Sequence, residues 1–468
     1  MKNNKKKILS AIVCGIMFFL ASCGSDGKGN EVAIPDYDSK KDSLELRITS
    51  WYSPEMTNIS IEDYKLAGFN HIILLGNSVG GFTSSTMLAA VKKCQENSLY
   101  AYVSTMNGLD GLISKGADYS EYSYVNGVNV YDEPLINSGL NSLGNPTLGI
   151  YDLANYIPDF EKAYGNRDFY VNLNPLGALN LGGSYTEYID ACCNDLLAKT
   201  THGERWLSAD SYVLKNSGAG SSTYFLKEEW LQNLAMLQRA KYLTHKELNV
   251  KTNFFIQAMP IGTTNDRIPT YNDLSLQIYS MLAYGYDSVA YFCYQTPPVN
   301  FEFGSDQYAL LDRSGKKTSV YDAAKKINNE INQFDHVYLQ FNKNWIGVVP
   351  IIGTKNTKGE NNSFSLLKDY CADTTFSVKA VKELKSVTAE YDTLIGYMKD
   401  DFGNPGFMLV NYNDTAKQCK GKVELEFNGA KKALVYRNGK GSLEDVTDNK
   451  ISLNLGIGEG IFVIPFAK

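Results

Sequence analysis

From Leu46 to about Phe334, short runs rich in β-branched and aromatic residues alternate with longer stretches of helical period. The β-like runs are Leu46–Tyr52, His71–Leu75, Leu99–Thr105, Gly127–Tyr131, Asp168–Leu173, Trp206–Tyr212, Thr252–Ala258 and Ser288–Tyr294. Their starts lie 25 to 46 residues apart, which leaves room for one helix and two loops each time. Apolar stripes mark the helices: Met87, Leu88, Val91 and Cys94; Ile189, Cys192, Cys193, Leu196 and Leu197; Ala323, Ala324, Ile327, Ile331 and Phe334. Strands separated by helices pair in parallel, because a parallel neighbour is reached only by a crossover. Eight such units predict an α/β fold, a (β/α)8 TIM barrel.

After about Val337 the helical period fades. Short alternating runs appear at Gly406–Asn411, Lys422–Phe427, Ala433–Tyr436, Ile451–Leu455 and Gly460–Ile464, with turn signals such as Asn438-Gly439 between them. This texture predicts a small antiparallel β-sandwich. The barrel is placed at residues 44–336 and the sandwich at 337–468.

The start of the chain has a different pattern. Lys2, Lys5, Lys6 and Lys7 precede an uncharged run from Ile8 to Leu20, which has the length of a secretory signal core and is short for a membrane span. Leu20-Ala21-Ser22-Cys23 then resembles the bacterial lipobox, with Cys23 as the lipidated residue. Residues 1–22 are expected to be a signal peptide and 23–43, rich in Gly, Asp and Lys, a flexible tether. The expected address is an outer membrane or cell surface, held by lipid.

The formal net charge of −6 becomes more negative once the signal lysines leave, which argues against nucleic acid as a partner. With 32 Tyr, 21 Phe and 4 Trp, the chain is well supplied with flat faces that carry a polar edge, the kind that stack on sugar rings. Cys94, Cys192, Cys193, Cys293, Cys371 and Cys419 show no metal-ligand spacing and fall mostly in apolar patterns, so buried free thiols are expected. The four histidines are scattered, and no phosphate loop or Gly-x-Ser-x-Gly elbow occurs. No metal or cofactor is expected.

In a barrel of this kind, function sits at the C-terminal ends of the strands. Those ends read Trp51-Tyr52-Ser53, Gly76-Asn77, Met106-Asn107, Asp132-Glu133-Pro134, Asn174-Pro175, Asp210-Ser211-Tyr212, Gln257 and Tyr294-Gln295-Thr296. Nearly every one offers a polar or aromatic group, as a sugar cleft needs. Cleaving a glycosidic bond takes one carboxylic acid to protonate the leaving oxygen and a second carboxylate as nucleophile or base. Glu133 is the candidate acid, and Asp132 beside it would hold its proton if the two side chains meet. Strand neighbours point to opposite sides, so that meeting is an open question. A purely structural use of Glu133, capping a helix or pairing with a loop arginine, is the alternative.

Asp132-Glu133-Pro134 after a fourth strand resembles the Asn-Glu-Pro of clan-A glycoside hydrolases. It is similar also to barrel-plus-sandwich lipoproteins of glycan-degrading Gram-negative bacteria, as are Trp206–Tyr212, Phe255–Ala258 and Ala309–Gly315 running into Tyr321 and Asn328. The resemblance implies glycoside hydrolysis of an extracellular or periplasmic poly- or oligosaccharide, with Glu133 as general acid/base. It also opens association with other glycan-uptake proteins. The sequence departs from the clan-A pattern at the seventh strand, where Gln257 stands in place of the nucleophilic glutamate, and an amide cannot form a glycosyl ester. Asp210 is therefore the preferred second carboxylate, with Glu302 as the other candidate. Trp51, Tyr52, Tyr131, Asp132, Gln257 and Tyr294 are expected substrate contacts. The competing reading is a glycan-binding lipoprotein on a degenerate barrel that no longer cuts.

Overall fold

The computed structural model describes residues 34–467 except 76–83, 105–118, 142, 217–222, 226, 263–265, 301, 356–363, 365–366 and 368–370. The lipobox Cys23, the signal and most of the tether lie outside the described residues, as do the expected strand-end groups Asn77, Met106 and Asn107.

Eight parallel strands form the barrel: β1 (Arg47–Ser50), β2 (His71–Leu74), β3 (Tyr100–Ser104), β4 (Val125–Asp132), β5 (Asp168–Leu173), β6 (Trp206–Asp210), β7 (Lys251–Gln257) and β8 (Ser288–Phe292). Each lies where a β-rich run predicts it, within a few residues at the ends. Among the described residues, seven of the eight connections carry helices: Asn58–Leu66, Ser84–Glu96, Ile150–Asn155 with Ile157–Tyr164, Tyr185–Ala191, Lys227–Arg239, Tyr271–Ala283 and Ser319–Ile331. Their starts are set by local chemistry. Ser184 and Glu187 exchange side-chain-to-backbone bonds in a capping box, and Thr57, Thr270 and Thr318 cap three others.

The ladder runs β1-β8-β7-β6-β5-β4-β3-β2, and one side chain stitches the remaining seam. Asn70, just before β2, donates its backbone N–H to Ile48 O (3.2 Å), accepts the Ile48 N–H on Oδ1 (2.9 Å) and donates Nδ2–H to Leu46 O (2.8 Å). An asparagine side chain can imitate a peptide here because it carries the same donor and acceptor.

The sandwich follows. A six-stranded sheet is ordered β9 (Trp345–Ile351), β11 (Thr393–Lys399), β12 (Pro405–Asn411), β17 (Gly460–Ala467), β14 (Ala430–Arg437) and β15 (Lys440–Asp445). A three-stranded sheet, β10 (Leu384–Ala389), β13 (Gly421–Phe427) and β16 (Lys450–Leu455), packs on one face of it. Across the expected boundary at residue 337, Asp335–Asn342 forms one more helix, burying Val337, Tyr338 and Phe341, and the first strand of the six-stranded sheet begins at Trp345.

Period two sends alternate residues of the large sheet to two different cores. Phe407 and Leu409 enter the sandwich, whereas Met408 and Val410 join the barrel's helical layer. The helix Tyr271–Ala283 is consequently buried from Asp273 onward. The approach is close enough that a Cβ at Gly396 would come to 2.1 Å from Ala283 O, and one at Gly460 to 2.1 Å from the Tyr279 ring. Arg267 locks the contact, its buried guanidinium reaching Asp273 (2.7 Å) at the helix start and Asp414 (2.9 Å) in the sandwich.

Asn70→Ala should loosen the barrel seam, because it leaves the Ile48 N–H and Leu46 C=O without partners. An unsatisfied buried group costs about 1–3 kcal/mol, so urea and thermal unfolding midpoints should fall accordingly. A midpoint equal to that of the parent would show that the seam does not depend on this side chain.

Candidate active site

A line of polar side chains joined end to end runs up the barrel interior, beside apolar residues that include Ile73, Phe255 and Ala290. At its N-terminal end, Asp168 accepts from Tyr102 Oη, from Trp206 Nε1 (3.2 Å) and from the Glu204 N–H (2.7 Å), beneath Arg47, whose guanidinium lies over the Tyr102 ring at 4.1 Å. One layer up, Asn253 Nδ2 donates to Tyr170 Oη (2.9 Å) and Ser208 Oγ (3.0 Å), and Tyr170 Oη donates to Ser208 (2.6 Å). Ser208 in turn donates to Asn172 Oδ1 (2.9 Å). With its oxygen taken, the Asn172 amide faces upward and Nδ2 donates to both Asp132 Oδ1 and Asp210 Oδ1, each at 3.2 Å. Two aspartates from strands on either side of β5 are thereby held within two hydrogen-bond lengths of each other.

Asp132 reaches this position through a β-bulge. The β4–β5 register places Asn129 opposite Tyr170 and Gly127 opposite Asp168, then slips, so that Tyr131 faces Val171 and Asp132 faces Asn172. The extra residue, Val130, reverses the alternation. Strict period two from Asn129 would have sent Tyr131 into the barrel and Asp132 away from it. Beyond the bulge the chain turns sharply at Glu133, which sits in the left-handed region at φ 51°. A non-glycine residue held there stores strain, a feature concentrated at working sites. The turn is anchored by the Glu133 N–H on Asn172 O (2.8 Å), and by Asn174 Nδ2 (2.9 Å) and Tyr188 Oη (2.7 Å) on Pro134 O. The structural alternatives for Glu133 are not found among the described residues: its side chain neither caps a helix nor pairs with an arginine.

Asp132 and Glu133 are exposed at the cleft, with protein packed around their carboxyl ends, and they line a cavity of about 620 Å3 together with Tyr131, Asn174, Pro175 and Leu179. A second opening, of about 700 Å3, lies at the opposite mouth of the barrel beside Asp168 and Glu204, away from the carboxylate group. Burial raises the proton affinity of Glu133 most, to about 9, and the charges of Asp210, Asp132 and Glu302 add to it. Asp132 is raised to about 7, by burial and then by Asp210. Asp210 is raised by burial to about 6, held lower by hydrogen bonds from Tyr212 and Asn172. Three carboxyls of like chemistry are thus spread apart by environment, one kept protonated at neutral pH and one ionised. The charge of Asp132 does act on Glu133: the bulge turns Asp132 to the mouth, and the left-handed turn at Glu133 ends the strand alternation there.

The other expected contacts divide. Tyr52, at φ 52°, brings its hydroxyl into the field of Asp132 and Glu302 and packs beside Phe292 (6.1 Å between rings). Tyr131 flanks the cavity and accepts the Leu148 N–H on its hydroxyl (2.9 Å). Trp51 lies under the cleft, buried edge-on against Phe255 at 5.4 Å, so it supports the floor instead of offering a stacking face. Gln257 and Tyr294 are fully buried and do not line the cavity. Gln257 is roofed over: Leu214 donates to its Oε1 (2.7 Å), and Nε2 donates to Asp266 (2.8 Å) and Met259 O (3.2 Å). Tyr294 is fully buried on the outer side of the barrel wall, among Tyr64 and Phe69. Glu302, from the loop after β8, joins the carboxylate group electrostatically. Asn172, Tyr212 and Phe292 were not among the expected site residues. Counting by twos from Asp168 through Tyr170 would have placed Asn172 inside the barrel.

Among the described residues, no group of three or more His, Cys, Asp or Glu side chains is arranged to hold a metal ion. No protein-family model matches the chain, and no curated protein matches it. Among solved structures, it resembles a family 39 glycoside hydrolase from the gut symbiont Bacteroides cellulosilyticus WH2 with a TM-score of 0.46 and 11% identity, over 91% of this chain and 82% of that one. A polyextremophilic beta-galactosidase from the Antarctic haloarchaeon Halorubrum lacusprofundi gives 0.45 and 9%, over 90% and 99%. A beta-galactosidase from the psychrophilic Marinomonas ef1 gives 0.43 and 10%; there the match covers 62% of this chain and spans only 60% of the other. The likeness is one of outline.

Glu133→Gln tests the electrostatics of the site. A carboxyl whose proton affinity is raised on folding binds a proton that the unfolded chain has lost. Its burden on stability is therefore absent below the ordinary carboxylate range and grows as pH rises toward about 9. The variant should melt with the parent near pH 4 and above it at pH 8. Equal melting at both values would show that Glu133 is not held against its ionisation.

Proposed function

We propose that the chain is a glycoside hydrolase acting on an extracellular or periplasmic oligo- or polysaccharide. The observation that carries this reading is the cluster itself. A carboxyl that keeps its proton and one that ionises first, Glu133 and Asp210, share the C-terminal mouth of a barrel beside a cavity able to take a sugar. Glu133 serves as general acid and Asp210 as the second carboxylate, with Asp132, Tyr52 and Tyr131 as contacts to sugar hydroxyls and ring faces. The charges acting on Asp132, Glu133, Asp210 and Glu302 are all acidic among the described residues. That field suits neutral glycans and repels uronates and sulfated sugars. A second reading, glycan binding without cleavage, draws on Gln257, which occupies the strand end where the resembling enzymes keep a nucleophile and is locked into the structure.

A panel of neutral and acidic oligosaccharides, scored for both binding and released reducing ends, separates the two. For the enzyme, Glu133→Gln and Asp210→Asn should each lower turnover by about two orders of magnitude or more while binding persists, and polyuronates should be neither bound nor cut. Binding without release of reducing ends by the parent protein would establish the second reading.

Lipid anchorage at the outer membrane or cell surface is part of the same proposal, supported by the lipobox-like Leu20-Ala21-Ser22-Cys23. Metabolic labelling with a fatty-acid analogue should mark the parent and not Cys23→Ala. Label retained by the variant would remove the anchor.

A further inference from the structure

The amide of Asn172 has no freedom of orientation. Its Oδ1 accepts from Ser208 Oγ at 2.9 Å, and that hydroxyl can donate in this direction because it already accepts from Tyr170 Oη (2.6 Å) and Asn253 Nδ2 (3.0 Å). Reversing the amide would set its NH2 against a hydroxyl whose proton points at it, and its oxygen against two carboxylates. Asn172 itself is 3% exposed, and its bonds to Ser208 and Asp210 are buried, whereas the one to Asp132 lies at the edge of the cleft. Both amide protons go upward, one to Asp132 and one to Asp210, at 3.2 Å each.

We infer that Asn172 is a positioning residue of the site: its amide, turned by Ser208, is the shared donor that holds Asp132 and Asp210 side by side as carboxylates. Two acids at this spacing, Asp210 buried and Asp132 at the cleft surface, would otherwise repel, and one would take up a proton or swing away. A donor common to both eases their repulsion and fixes where Asp210, the proposed second carboxylate, stands. The consequence for catalysis rests on the proposed use of Asp210. The bonding arrangement stands independently of it. The titratable groups facing the pair from the surrounding elements are Glu133, Tyr52, Tyr170, Tyr185, Tyr212 and Glu302, with no cation among the described residues. Of these only Tyr170 touches a changed residue, through its hydroxyl on Ser208 Oγ (2.6 Å); Asn172→Ala leaves all of them in place.

The test compares the parent with Asn172→Ala and Ser208→Ala by thermal melting from pH 4 to pH 8. Near pH 4 the aspartates are protonated in every variant, and the melting difference reflects packing alone. As pH rises, the parent keeps two bonds to ionised carboxylates that Asn172→Ala lacks, so the difference should widen steadily. Ser208→Ala leaves the amide in place but free to turn, and should show the same trend with smaller amplitude. A difference independent of pH in both variants would overturn the inference and reduce Asn172 to a packing residue. If Asn172→Ala does not fold, Ser208→Ala decides alone. Where a cleavable glycan has been found, the acid limb of the kcat/KM profile should move up by about one pH unit in Asn172→Ala, the effect of losing one donated bond to an ionised carboxylate. Absence of any activity together with a widening melting difference would remove the hydrolase reading and leave the role of Asn172 intact. An acid limb that stays in place would show that Asn172 does not act through Asp210.

Discussion

The closed barrel constrains the polar groups inside it: cut off from water, they find most of their partners among one another, beside apolar neighbours such as Ile73, Phe255 and Ala290. Here the interior is a column of hydrogen bonds, from Asp168 with Tyr102 and Trp206, through Tyr170, Asn253 and Ser208, to Asn172 and the two aspartates at the mouth. A half-satisfied polar network in a dry core is worse than an apolar core, so the chain of donors and acceptors has little choice of direction. That directionality is what reaches the site. It ends in two donors presented to two acids.

The carboxylates themselves work against the fold. Burial and mutual repulsion raise the proton affinity of Asp132, Glu133 and Asp210, and Glu133 and Tyr52 both stand in left-handed backbone. Such groups persist because the surrounding structure over-determines them. The bulge at Val130 points Asp132 inward, the Pro134 carbonyl is pinned by Asn174 and Tyr188, and the wall behind β7 is braced by a helix buried between barrel and sandwich. In this way the C-terminal sheet supports the site from a distance: Arg267 reaches from the β7 connection to Asp273 and Asp414, so the helix after β7 has a fixed seat.

The fold was largely legible in the sequence because period and composition report local conformation. Asp168–Leu173 was read to the residue, and every other barrel strand overlapped its β-rich run to within two residues at its start. Four sandwich strands escaped notice, for opposite reasons. Thr393–Lys399 is buried on both faces and so shows no alternation, and Trp345–Ile351 is nearly so. Lys440–Asp445 is an edge strand exposed throughout, with almost no apolar residues to betray it. Leu384–Ala389 alternates only weakly, its exposed middle hiding the two buried ends.

The site divides along the same line. The sequence by itself determined which residues stand at the strand ends, since a carboxylate after a β-run is a local fact; Asp132, Glu133 and Asp210 could be named from it. Which way those ends point was decided only by the tertiary structure. One extra residue in β4 reversed a parity that counting predicts, the loops carrying Leu214 and Asp266 closed over Gln257, and the outer side of the wall took Tyr294. Asn172 was invisible as a functional residue for the same reason. Its role lies in what it touches on β4 and β6, strands 40 and 38 residues away in the chain, and hydrogen bonds between strands leave no mark on the order of residues along one.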